Sequence, residues 1–381
     1  MSDLQRDFLR AKLAKLPRMP PTHLQESSGI IEDDEYDYEA TDEFPDSSSV
    51  SSASSTSTIR APYQPKAPNT HTPIPWQAHF SRHLHLPSRS SPTTVFSAYL
   101  TSPTSGGPLF ITHHGAGSSG LSFACLASEI RKIIPSAGIL SLDARGHGET
   151  VTGNDEDLSL TTLSNDLVEV VEATRAACGW EHMPDLILVG HSLGGAVVTE
   201  VAKIGALGKA VQGYAVLDVV EGSAIDALQS MQTYLSTRPS SFPSVAAGIE
   251  WHIRSRTIRY SASACASVPA LLIETADGSP RPWRWRTDLV KTQPFWEGWF
   301  VGLSKKFLEA KGGKLLILAG TDRLDRELMI GQMQGKYQLL VIPEVGHFVH
   351  EDAPEKVASS LVEFHKRQAP LVLPPKVGQM M

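Results

Sequence analysis

The chain has 381 residues, 41% of them hydrophobic and 20% charged, enough apolar side chain to bury a sizeable core and too much for global disorder. Its net charge of −7 is more than accounted for by the nine acidic residues between Glu32 and Asp46, among which there is no Lys or Arg. The rest is near neutral, which argues against a nucleic-acid partner, because such binding needs a basic stripe. The three cysteines, Cys125, Cys178 and Cys265, are odd in number, far apart and without a C-x-x-C pair. That excludes a disulfide scaffold or a Cys-based zinc site and suits a reducing compartment, cytoplasm or nucleus.

The first residues alternate apolar and charged side chains, with Leu4, Phe8, Leu9, Leu13 and Leu16 at helical spacing. Asp3 and Asp7 argue against a mitochondrial presequence, and no apolar run reaches the 18 or so residues that span a bilayer. Residues 1–73 as a whole read as a disordered tail. An acidic run, a Ser-rich stretch and a Pro-dotted stretch follow one another there, and such composition buries too little apolar surface to offset chain entropy.

From Trp76 onward the patterning changes. HFSRHLHL and TTVFSAYL alternate as strands do, and PLFITHHG is a short apolar run ending at glycine. Residues 121–134 have helical spacing, GILSLDARG is a strand and loop, and residues 160–178 form a helix with Asp166 and Glu169 on its exposed side. DLILVGHSLGG is a strand entering a turn, a helix follows to about residue 206, and AVQGYAVLD is a further strand. Apolar strands alternating with helices indicate a mostly parallel central sheet flanked by helices. Residues 74–218 are therefore the first part of an α/β core. Residues 219–312 break the rhythm with helices and Arg/Trp-rich sequence lacking clear strands, which reads as a helical cap inserted at the C-terminal edge of the sheet. The rhythm resumes over 313–367 with KLLILAGTD, YQLLVIPEVGH and a helix from Pro354, and residues 368–381 read as a flexible tail.

The strongest chemical signal is Gly190-His191-Ser192-Leu193-Gly194, a G-x-S-x-G pattern preceded by the apolar strand LILVG and followed by a helix. A serine on such a strained strand-to-helix turn is a nucleophile, and the flanking glycines leave room for the neighbouring backbone. It needs a base. His347, in the loop after YQLLVI, is the best placed, with His350 its neighbour and alternative. Two acids are placed to orient the imidazole: Asp322 after LLILAG, which position alone slightly favours, and Asp218 after YAVL. A developing oxyanion would meet the Leu193 N–H and a second donor in His114-Gly115-Ala116-Gly117, taken as Ala116. The segment from Asp143 to Glu149 is of the kind that packs beneath such a site and fixes its loops. His113-His114 and His347-x-x-His350 lack further ligands at zinc spacing, and His83 and His85 read as surface residues on a strand. No metal and no cofactor are expected.

In order along the chain, HHGAGSSGLSFACLASEI, LDARGHGET, GHSLGGA, LDVVEGSAIDALQSMQTYLSTRPSSF, the run Ile249-Glu250-Trp251, WRWRTDLVKTQPFWEGWFVGLSKKFL, LLILAGTDRLDRELMIGQMQGKYQ and GHFVHEDAPEKVA resemble the protein phosphatase methylesterase family of the α/β-hydrolase fold. The resemblance covers roughly residues 74–367. It implies a serine carboxylesterase that removes the methyl ester from the C-terminal leucine of the protein phosphatase 2A catalytic subunit, with that subunit as substrate and partner. It also implies that the acid is the aspartate of D-V-V-E-G, Asp218. Ala116 stands where the family has a second glycine, and the region between Glu274 and Trp283 is shorter than in animal members. A monomer without membrane association is expected. The rival readings are a general small-molecule carboxylesterase and a catalytically inactive phosphatase-binding module, and the retained Ser192, His347 and both acids argue against the latter.

Overall fold

The computed structural model describes residues 71–276, 278–320 and 324–368. The expected acidic and Ser-rich tail up to residue 70, the C-terminal tail and Asp322 lie outside the described residues.

Eight strands form one sheet in the order β1 (Arg82–Pro87), β2 (Val95–Thr101), β4 (Gly138–Leu142), β3 (Leu109–His113), β5 (Leu186–His191), β6 (Val211–Leu217), β10 (Gly313–Leu318) and β11 (Gln338–Val341). The first two pairings, β1 with β2 and β2 with β4, are antiparallel, and from β4 onward every pairing is parallel. The central strands are apolar throughout because both faces are covered. Successive side chains divide between the faces: Leu109, Ile111, Leu186 and Leu188 enter one core, while Phe110, Ile187 and Val189 enter the other. Helix α1 (Ala124–Ile133) covers the second face. Helices α2 (Leu160–Cys178) and α3 (Leu193–Ile204) cover the first.

Helix α2 begins where Ser159 accepts a hydrogen bond from the Thr162 N–H and ends at Gly179, whose φ of 65° suits glycine. Asp166 departs from the amphipathic expectation. It is buried and ion-paired with Arg145 at 2.8 Å, so the helix face read as exposed carries a structural pair linking α2 to the 143–149 segment.

Between β6 and β10 run α4 (Glu221–Thr237), α5 (Val245–Arg254), α6 (Ser261–Ser267), a 3₁₀ turn over Leu289–Phe295, α7 (Trp296–Phe300) and α8 (Leu303–Glu309). This inserted block also contains strands, contrary to expectation: β7 (Ser241–Phe242), β8 (Leu272–Glu274) and β9 (Trp283–Trp285) form a small antiparallel sheet ordered β7-β9-β8. Two or three residues are too few to display alternation, so the sheet left no periodic trace. Its own small core includes Phe242, Ile249, Ile258 and Leu272. After β10 come α9 (Arg326–Met333), β11, the short α10 (Val349–Asp352) and α11 (Pro354–Gln368), which packs with α1 on the second face.

Candidate active site

Strand β5 ends at His191, and Ser192 adopts φ 53° and ψ −119° before α3 begins at Leu193. A non-glycine residue in this region is strained and persists only where its surroundings hold it. Here the Ser192 N–H donates to the Leu217 carbonyl of β6 at 3.1 Å. A Cβ on Gly190 would lie 2.1 Å from the Gly194 carbonyl oxygen, and one on Gly194 would lie 2.0 Å from that of His113. Backbone occupies both places, which is the physical reason for the glycines of the motif. Leu193 is the first residue of α3, where N–H groups have no intrahelical acceptor and the helix dipole favours negative charge.

The loop after β3 passes directly against this turn. A Cβ on Gly115 would sit 3.1 Å from Ser192 Cβ. Buried histidines fix the loop. The Gly117 N–H donates to His147 Nε2 at 2.8 Å and the Ala144 N–H to His114 Nε2 at 3.0 Å. Each of these rings therefore carries its proton on Nδ1 and donates it to a carbonyl, that of Arg145 or Gly115. Burial lowers both imidazole pKa values, that of His114 far below the usual one, which disfavours a second proton on either ring. Asp143 accepts from the Gly120 N–H, the Glu149 N–H and Ser97 Oγ at 2.8–3.0 Å. The segment from Asp143 to Glu149 thus ties the loop to the sheet.

Asp218 follows β6 with φ 52°. Its N–H donates to the Ile317 carbonyl at 2.8 Å, and its Oδ1 accepts from the Ala319 N–H at 2.8 Å. Its Oδ2 accepts from His347 Nδ1 at 2.8 Å. The Asp218 side chain is fully buried, whereas that of His347 is 44% exposed. An imidazole anchored at Nδ1 by a buried carboxylate leaves Nε2 free to exchange protons at the surface of the site. His350 occupies a different environment. It is buried, stacked on Phe123 with centroids 4.4 Å apart, and burial pushes its pKa well below the usual value.

The structure thus joins His347 to Asp218 and packs the Gly115 loop against Ser192. Three contributors carried no recognisable sequence signal. His191 donates from Nε2 to the His347 carbonyl at 2.9 Å. Arg259, in the inserted block, donates from its N–H to Asp352 Oδ1 at 2.7 Å and from its guanidinium to the Glu344 carbonyl. Ser267 Oγ donates to buried Glu351 at 2.6 Å. The block also reaches the nucleophile side, where a Cβ on Gly117 would lie 2.7 Å from Leu289 Cδ1 and Thr287 Oγ1 donates to the Gly146 carbonyl.

One set of side chains has the composition of a metal site: ligand atoms of His83, His85 and Glu149 lie within 4.8 Å of one another. His83 is not the surface residue its alternation suggested. Its ring stacks on Tyr99 with centroids 4.5 Å apart, and its Nε2 is engaged with Ser97 Oγ at 2.9 Å. Because the Ser97 proton goes to Asp143, His83 Nε2 carries a proton and is not presented as a ligand. Among the described residues no helix is long and apolar enough to cross a membrane.

The model of the alpha/beta hydrolase family matches residues 109–360. A protein phosphatase methylesterase 1 from Gibberella zeae is 64% identical over 313 residues, covering 81% of this chain and 78% of that protein. One from Aspergillus fumigatus is 57% identical over 398 residues, covering 100% of this chain and 93% of that protein. Among solved structures, E-2-(acetamidomethylene)succinate hydrolase matches with a TM-score of 0.58 at 17% identity, covering 75% of this chain and 99% of that one, a likeness of fold alone. With this fold and these relatives, the chain belongs to the protein phosphatase methylesterase family of the alpha/beta hydrolases and is a carboxylic ester hydrolase.

Proposed function

We propose that the chain removes the methyl ester from the C-terminal leucine of a protein phosphatase 2A catalytic subunit, with Ser192, His347 and Asp218 as its catalytic triad. The observation that carries this reading is the His347–Asp218 pair at 2.8 Å, carboxylate buried and imidazole half exposed, beside a serine strained at the head of α3.

In the first step His347 Nε2 takes the proton of Ser192 Oγ as that oxygen attacks the ester carbonyl. The tetrahedral oxyanion is stabilised by the Leu193 and Ala116 N–H groups. His347 then protonates the departing methoxide, methanol leaves, and the acyl-enzyme remains on Ser192. Water, deprotonated by His347, releases the free leucine carboxylate and restores the serine. Asp218 keeps the imidazole in the Nδ1–H tautomer and stabilises the imidazolium that forms twice per cycle. The donors are backbone groups, so alanine at 116 serves as well as glycine provided the loop keeps its path, and the His147 bond to Gly117 supports that path.

All three side chains come from one chain, which supports action as a monomer. The cysteines are free thiols, which supports a reducing compartment, cytoplasm or nucleus. The test is release of methanol from methylated phosphatase 2A. Ser192→Ala should lose on the order of 10⁴-fold or more in kcat while melting at the wild-type temperature. Substantial turnover by the purified variant would remove Ser192 from the mechanism. Activity on small esters with none on the methylated phosphatase would instead leave a general esterase.

A further inference from the structure

Resting on the triad reading above, we propose that His191 is a positioning residue that sets the register between nucleophile and base through a hydrogen bond from its Nε2–H to the backbone carbonyl of His347. His191 precedes Ser192 in the chain, so its backbone and that of the nucleophile move together. Its side chain reaches across to the opposite loop, with Nε2 2.9 Å from the His347 oxygen and the two imidazole centroids 4.6 Å apart. A carbonyl can only accept, so the proton must be on Nε2. Nδ1 is then a bare acceptor, and among the described residues it has no partner. The ring also packs on Phe348 and His350, at centroid distances of 5.0 and 4.5 Å. On the other side, a Cβ on Gly115 would lie 3.0 Å from its Nδ1.

One buried imidazole therefore touches three parts of the site: the nucleophile by covalent adjacency, the base by a hydrogen bond and the Gly115 loop by packing. The need for it follows from what Asp218 does not do. Asp218 fixes the His347 ring through Nδ1 and leaves the backbone that carries the ring unrestrained. Nearby, Glu344 has a positive φ of 66°, a conformation that must be held by its surroundings. A bond to the His347 carbonyl adds a restraint at the base residue itself, beyond those that Arg259 places on Glu344 and Asp352 on Gly346. Burial, reinforced by the neighbouring His347, pushes the His191 pKa down to about 3, so the Nδ1 acceptor stays unprotonated and the ring neutral across the working range.

The test compares three variants of the full chain with wild type and with Ser192→Ala. His191→Phe and His191→Met keep volume but remove the donor, whereas His191→Gln keeps an N–H at nearly the same reach. Each is measured for melting temperature, for kcat and KM on a methyl-ester substrate, and for the rate at which a fluorophosphonate labels Ser192. Loss of the restraint should lower kcat and labelling by about 10–100-fold in the Phe and Met variants, the scale of a small misplacement, with KM unchanged. The pH at which the acid limb falls should not move. Gln should recover most of the rate. If Phe fails to melt cooperatively, Met carries the comparison, and Gln against wild type carries it if both fail. Wild-type kcat in a folded Phe or Met variant overturns the proposal. So does a Gln variant as slow as Phe at a wild-type melting temperature, because packing alone would then explain the effect. A fully active Ser192→Ala would instead overturn the triad reading itself, and the two failures remain distinct.

Discussion

The loop bearing His347 is held on two sides, and the two sides meet the burial of titratable groups in opposite ways. On the sheet side lie His113, His114, His191 and His350, whose pKa values burial drives down, His113 to about 4 and His191 to about 3. On the side of the inserted block lie Glu351 and Asp352, whose pKa values burial drives up, despite Ser267 on the first and the Arg259 and Gly346 N–H groups on the second. Both sides are pushed toward neutrality, but by opposite protonation changes. The histidine side is threatened by acid and the carboxyl side by base. The site therefore has a pH window built from packing, with the His347–Asp218 pair between its walls.

The largest way to break this comparison is to remove the charge in the middle. Asp218→Asn should lower kcat by about 10⁴-fold, because the imidazole loses its orienting carboxylate and is held in the wrong tautomer. Asp322→Asn should do far less. A steady-state comparison giving the reverse ranking would transfer the acid's role to Asp322 and leave Asp218 a loop-holding residue.

The next largest effect tests the histidine wall. The unfolded chain protonates histidine near 6.5, whereas these folded rings resist it, so the unfolded state binds more protons and stability falls as pH drops below 6.5. Each such ring contributes up to about 1.4 kcal/mol per pH unit until its own depressed pKa is reached. Melting temperature should fall by about 5–10 °C between pH 6.5 and 5, with the carboxyl wall offsetting part of the loss. His350 sharpens the point, because both its ring nitrogens lack partners among the described residues and it is stacked on Phe123. His350→Phe should retain activity and melt at or above the wild-type temperature, with a gain that grows toward pH 5. A variant that loses turnover as His347→Ala does would return His350 to the chemistry.

Much of the sheet side was legible in the sequence, and the reason is physical. Central strands buried on both faces must be apolar, and a nucleophile turn needs glycine where backbone fills the space a Cβ would take, so LILVGHSLGG displays both constraints. The carboxylate partner of His347 was not legible from position alone, because an aspartate follows both β6 and β10 in the sequence. The contact of His347 is with the one named by family resemblance. The inserted block was least legible. Its strands are two and three residues long, and three of its arginines hold backbone carbonyls. Arg281 bonds the Ser241 carbonyl, Arg286 the Ala270 carbonyl and Arg259 the His347 loop. Such pairings join residues tens of positions apart and leave no local pattern.

A smaller effect tests the tie between the block and the loop. Arg259→Ala removes the guanidinium contact to the Glu344 carbonyl and the 3.6 Å pairing with Asp352, but leaves the backbone donors to Asp352 in place. The expected loss is about 1–2 kcal/mol of stability, since a charge-assisted bond goes while the buried carboxyl keeps two partners. Turnover should fall modestly, with the deficit largest near the melting transition, and Arg259→Lys should recover part of it. A variant with full stability and full turnover would mean that the block does not steady His347.

The smallest and most discriminating effect is at Glu351. Its carboxyl is buried, accepts from Ser267 Oγ, and has a pKa raised well above the ordinary value. The folded state therefore binds a proton that the unfolded state has released, over the range from the ordinary carboxyl pKa up to the raised one. Stability must fall as pH rises through that range, the reverse of the histidine wall. Glu351→Gln removes the proton from the account while keeping a carbonyl oxygen that can accept from Ser267 and an amide of the same shape. At the acid end, where the wild-type carboxyl is protonated, the variant should be equal to or slightly less stable than wild type. At pH 8 it should be equal or more stable, by up to about 1 kcal/mol. Thermal melts across pH 5–8 would therefore show the two curves crossing. A Gln variant that is less stable by a constant amount at every pH would mean that Glu351 is ionised in the folded protein and paired, and the block side would then be a charged wall facing a neutral one.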